Sequence, residues 1–150
     1  MSETVYTTDV VETAPNAVED TINAFKSGNL AIYSSFNSDD FTGKLKVIGA
    51  VTNSEPIADA LGKQIDLVNY VVHEVTVKDK ETGEIANVAR LILIAADGSA
   101  YHAISTVMLN RLRDMVGVLG NPDSWPTPVP VFVSEERSGA YRYYDLRVAG

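Results

Sequence analysis

Residues 64–77, QIDLVNYVVHEVTV, constrain this chain more than any other stretch. Valine, isoleucine, threonine and tyrosine crowd the run. Side chains branched at Cβ are stiff in a helix but fit a pleated, half-buried strand. The alternation of apolar and polar positions shifts near Asn69, which predicts one long strand carrying a bulge. The chain downstream supplies partners for it. KDKETGEI (78–85), with Gly83, predicts a charged hairpin loop, and NVARLILIAA (87–96) is a nearly continuous apolar strand. Asp97-Gly98 is a tight-turn signal, and SAYHAIS (99–105) is a further strand.

The period then changes. TVMLNRLRDMVGVLG (106–120) places Met108, Leu112, Met115 and Leu119 on one helical face, with Leu109 and Val116 beside them. Ser105 or Thr106 caps its start and Gly120 closes its end. After the proline-rich NPDSWPTP, VPVFVSEE (129–136) points Val129, Val131 and Val133 one way and Phe132 the other. AYRYYDLRV (140–148) points Tyr144, Leu146 and Val148 one way and Tyr141, Tyr143 and Arg147 the other. Upstream, KLKVIGAV (44–51) alternates and predicts a first strand with Lys44 and Lys46 on its polar face. SEPIADALG (54–62) reads as one or two helical turns inside a long loop.

The predicted class is therefore mainly β. Strand, strand, strand, helix, strand, strand is the order of an OB-fold, a five-stranded Greek-key barrel with a helix between strands 3 and 4. An α+β sandwich with the same order is the structural competitor. Residues 1–20 are expected to form a flexible acidic arm and 21–150 a single domain, its barrel proper covering about 44–148. NAVEDTINAFKSGN (16–29) reads as a short amphipathic helix, and LAIYSSFNSDDFTG (30–43) is ambiguous.

Charge bears on the ligand. The net charge is −8, yet residues 1–43 carry seven acids against Lys26 alone, while residues 44–150 carry thirteen acids and eleven bases. The predicted body is thus close to balanced. There is no cysteine, which excludes disulfides and thiolate metal sites. No apolar run approaches the ~18 residues of a membrane span, and no signal peptide is evident at the start, so a soluble cytosolic protein is expected. Catalytic signatures are missing: no HExxH, no Walker loop, no GxGxxG and no GxSxG. The two histidines, His73 and His102, lie on separate predicted strands. A non-catalytic protein is expected.

What the sequence does offer is aromatic rings interleaved with cations on strands of a small barrel. Bases of any sequence stack on aromatic rings, and cations track phosphates. The candidate stacking residues are Tyr70, Tyr141 and Tyr143. The candidate phosphate contacts are Lys44, Lys46, Lys78, Arg90, Arg137 and Arg147. Strand tyrosines and solvated surface cations are also ordinary in an antiparallel sheet. The competing function class is a structural or protein-interaction module, such as a small virion component, that uses its long strands to self-associate.

GKQIDLVNYVVHEVTVKDKETGE, LILIAADGSAYHAIS, LGNPDSWPTPVPVFV and the aromatic-basic final strand together resemble the single-stranded DNA-binding proteins of tailed phages of Gram-positive bacteria. The similarity runs from about Lys44 to Val148. It implies an OB-fold that coats single-stranded DNA without strong sequence preference during phage replication and recombination. It implies no cofactor, replication proteins as further partners, and the cytoplasm of the infected host as the location. The sequence leaves homo-oligomerisation open.

Overall fold

The computed structural model describes residues 32–36, 39–78 and 80–149. The expected arm over 1–20 and helix over 16–29 lie outside the described residues. In chain order the elements are β1 (Ile32–Ser34), α1 (Phe41–Asn53), β2 (Glu55–Pro56), a 3-10 turn (Ile57–Ala60), β3 (Gln64–Lys78), β4 (Ile85–Ala95) and β5 (Ala100–Ala103). There follow α2 (Thr106–Leu119), a second 3-10 turn (Pro122–Ser124), β6 (Val129–Ser138) and β7 (Tyr141–Val148).

The strands make one curled sheet in the order β2-β5-β4-β3-β6-β7, with β1 added against β3. All pairs are antiparallel except β2 with β5. β3 organises the rest. Its first residues pair with β6, from Gln64 opposite Phe132 to Leu67 opposite Val129. Its later residues pair with β1, Val71 facing Ser34 and His73 facing Ile32. The register against β4 slips between Leu67 and Asn69, where the sequence pattern changes phase. Because of that slip, Ile65, Leu67, Tyr70 and Val72 all turn to the inner side of the curl.

The inner side is the main core. Leu67, Leu91, Leu93, Met108 and Val131 are fully buried there, with Val133 and Leu146 beside them. α2 closes this side with Met108 and Leu112. Ser105 caps α2: its Oγ accepts from the Met108 N–H at 3.1 Å and donates to the Tyr144 carbonyl at 3.3 Å, tying the helix start to β7. Gly120 ends the helix at φ 79°, a left-handed conformation that glycine adopts without Cβ strain. Trp125 packs over the core, and its indole donates to the Gly120 carbonyl at 3.0 Å.

The structure corrects one element. Residues 44–51 are not the first strand of a barrel but the middle of helix α1, so Lys44 and Lys46 stand on a helix. Asp40 caps that helix, its carboxylate accepting from the Gly43 N–H at 2.7 Å. Gly43 and Gly49 each cost a helix about 1 kcal/mol relative to alanine. What offsets them is a floor: Ala50 lies on Val71 and Ile92 of the outer sheet face, with Val51 and Phe36 packed around it. Phe41, Leu45 and Ile48, at helical spacing, stay exposed on the far side of α1. SEPIADALG also divides differently: Ser54 ends α1, Glu55–Pro56 pair with β5, and Ile57–Ala60 form the 3-10 turn.

Candidate nucleic-acid interface

β6 and β7 form a hairpin in which Phe132 lies opposite Arg147, Glu136 opposite Tyr143 and Ser138 opposite Tyr141. Directly opposed residues share a face of the sheet. Val131, Val133, Tyr144 and Leu146 fill the core from one face. The other face therefore carries Phe132, Tyr141, Tyr143 and Arg147. Tyr141 is 50 % exposed, Phe132 37 %, and Tyr143 is half-buried. The strand alternation, combined with a hydrophobic inner face, is what places three rings and a cation on the open side.

Acids stand among these groups. Asp145 is buried on the same face and accepts from Arg111 Nε of α2 at 3.0 Å and from the Leu146 N–H at 2.8 Å. Arg147 lies 3.8 Å from Asp145 and 3.9 Å from Glu136 and remains 67 % exposed. The Glu136 pair is long and largely exposed, worth about 0–1 kcal/mol, and the buried Asp145 is already held by Arg111 at 3.0 Å, so a phosphate competes readily for the Arg147 guanidinium. Arg137, near the tip of the hairpin, is exposed and makes no ion pair among the described residues.

The family model described as phage single-stranded DNA-binding protein, of the phi29 type, matches residues 26–143. The chain belongs to that family. No curated protein and no solved structure matches the chain. In this phage single-stranded DNA-binding protein the matched span takes in α1, β1–β6 and β7 as far as Tyr143. It thus begins ahead of the Lys44 boundary at which the sequence resemblance becomes visible. No helix among the described residues is long and apolar enough to cross a membrane.

The remaining candidate residues of the phage protein lie elsewhere. Tyr70 is only 6 % exposed and belongs to the inner core; its ring centroid is 6.1 Å from that of Tyr33. Burial raises its hydroxyl pKa, helped by the neighbouring Tyr33. One edge of Tyr70 borders a cleft of about 330 Å³ between β3 and α2, beside Arg113. Arg90 sits on the outer face of β4 and is half-buried. It donates to the Val51 carbonyl at 3.3 Å and reaches Ser54 Oγ at 3.5 Å, so it ties the end of α1 to the sheet. Lys44 and Lys46 are exposed on α1. Lys78 ends β3, opposite Ile85. The structure thus gathers Tyr141, Tyr143 and Arg147 on one open face, and leaves Tyr70 in the core, Arg90, Lys44 and Lys46 at α1, and Lys78 at the end of β3. Sequence reasoning missed the acids beside Arg147, which are Glu136 across the hairpin and Asp145 two residues before it, and the Arg111–Asp145 pair, which joins residues distant in the chain.

Two histidines flank Arg90. His73 faces it directly across β3 and β4, and its buried Nδ1 has no hydrogen-bond partner among the described residues. His102 Nδ1 lies 3.0 Å from Ser54 Oγ. Burial, then the Arg90 charge, lowers the pKa of both rings, against smaller opposing effects at His102 from Ser54, Glu55 and Asp59. An unfolded histidine titrates near pH ~6.5. Below that pH the unfolded chain takes up protons that the folded rings refuse, so stability falls until the folded pKa values are passed. The melting temperature should therefore drop between pH 7.5 and 5.5, and combining His73→Gln with His102→Asn should flatten that drop; an unchanged slope would discard the assignment.

Proposed function

We propose that this protein is a non-catalytic coat for single-stranded DNA, acting in phage DNA replication or recombination inside the host cytoplasm. The family match over residues 26–143 carries the reading. In this reading β3 to β7 form a five-stranded Greek-key barrel of the OB type, with α2 between its third and fourth strands. Oligonucleotides in such folds use the face of strands 2 and 3, here β4 and β5, and the loops after the first and fourth strands. Those loops correspond here to the segment after Lys78 and to the β6–β7 turn beside Arg137. Tyr141, Tyr143 and Phe132 supply faces on which bases stack whatever their identity, which favours weak sequence preference. Arg137 and Arg147 meet phosphates, with Lys44, Lys46 and Lys78 as further cations along the strand's path. Tyr70 and Arg90 contribute by holding the sheet and α1 in place. Replication proteins are the further partners this role calls for.

Titration of the protein's intrinsic fluorescence with a thymidine oligonucleotide, at low and then moderate salt, tests the proposal. Salt-sensitive quenching is expected, because bound cations are released from the strand as the protein's charges replace them. Absence of quenching, together with no mobility shift at low salt and a concentration-dependent oligomer, would replace DNA coating with a protein-interaction role.

A further inference from the structure

α1 does not lie flush on the outer sheet face. Between the helix and the β4–β5 turn a cavity of about 590 Å³ opens, within the roughly 300–1,000 Å³ of small-ligand sites. It is lined by the aromatic residues Phe36 and Tyr101, by the amides Asn53 and Asn69, and by Lys46. The wall that α1 contributes includes Gly49. Helix interiors disfavour glycine relative to alanine, and a helical glycine usually answers a close approach by a neighbour. Among the described residues there is none: a Cβ at Gly49 would meet nothing nearer than Asn53 Nδ2 at 3.9 Å. The packing of the described residues does not require the space that the missing side chain leaves.

The chemistry of the lining selects an occupant. Aromatic rings suit a flat, apolar-faced group, and an amide offers a donor and an acceptor to a polar edge. Asn69 is preset for this, since its Oδ1 already accepts from Ser35 Oγ at 3.0 Å and leaves Nδ2 to donate. Glu55, also in the lining, offers an acceptor for a base N–H, such as the N3–H of thymine. Its charge balances that of Lys46, so the cavity is not built for a free anion. Lys46 is exposed and makes no ion pair among the described residues, which leaves it available to the phosphate attached to a bound base.

We propose that this cavity receives one nucleobase of the bound single strand, at a site separate from the stacking face of β7. The inference rests on the proposed DNA-coating role. Gly49→Phe fills the cavity, whereas Gly49→Ala should leave room for the base and favour the helix. With a thymidine oligonucleotide, Gly49→Ala should bind within about twofold of the natural protein and melt at the same or a higher temperature. Gly49→Phe should bind at least about fivefold more weakly, the loss of one modest base contact, with an unchanged circular dichroism spectrum. An oligonucleotide carrying 5-iodouracil should photo-crosslink in the natural protein to Phe36 or Tyr101. A folded Gly49→Phe that binds within twofold overturns the cavity. If that variant does not fold, crosslinks confined to β6 and β7 overturn it instead. Weakening by Tyr143→Ala alongside normal binding by Gly49→Phe leaves DNA coating standing and removes only the cavity, whereas a natural protein that binds no single strand removes both.

Discussion

Replacing Tyr141 and Tyr143 together by alanine is expected to abolish most single-stranded DNA affinity while leaving the fold intact. Both rings stand on the open face of β7, away from the Val133 and Leu146 side that fills the core. Stacking a base on one aromatic ring contributes about 1–3 kcal/mol, which is about 5- to 150-fold in affinity. Two rings should therefore cost well over tenfold, measured by fluorescence or filter binding at fixed salt. Tyr141→Phe keeps a stacking face and should bind nearly as the natural protein does. Arg137→Ala should behave differently: a modest loss for every sequence, and a salt dependence shallower by about 0.7 in the log–log slope. Unchanged affinity in the double alanine variant would remove β7 from the binding surface.

Leu67→Ala should be among the most destabilising single changes in the core. Leu67 is wholly buried, lies at the register slip of β3, and faces Val129 across the β3–β6 pair. Truncating a buried leucine costs the lost transfer energy and leaves a cavity, typically 2–5 kcal/mol. A loss of about 3 kcal/mol should lower the melting temperature by roughly 6–12 °C in a domain of this size. Leu45→Ala is the matched control, because Leu45 is half exposed on the outer side of α1 and should change stability by no more than about 0.5 kcal/mol. Equal losses in urea denaturation would mean that the packed centre lies elsewhere.

β3 to β7 and α2 were legible in the sequence because each carries a local signal, whereas the short β1 and β2 were not. β6 and β7 alternate, α2 repeats at helical spacing between Ser105 and Gly120, and the break near Asn69 is the register slip itself. α1 was not legible. Val47, Ile48, Val51 and Thr52 are branched at Cβ, two glycines lower helix propensity further, and Leu45 and Val47 alternate by coincidence. What makes the segment helical is a local Asp40 cap and two non-local supports: the Val71–Ile92 floor, and Arg90, which donates to the Val51 carbonyl. Tyr70 shows the same limit at one residue. Alternation predicted a phase change in β3, but only the pairing with β4 decides that Tyr70 turns inward. On β7 the local pattern sufficed to put Tyr141 and Tyr143 on one face, whereas the ion pairs of Arg147 and Arg111 depend on how β6 and α2 fold back onto it.

The pairing of Gln64–Leu67 with Val129–Phe132 bridges more than half of the matched family span. A ribosome making this protein exposes the first residues of β3 long before it delivers their partner. Until then the β3–β4 hairpin has an open edge and an uncovered apolar inner side, the condition under which nascent chains associate wrongly. Long-range pairing of this kind also slows folding. The interval in which the chain is prone to wrong association therefore closes only when β6 and β7 dock onto β3.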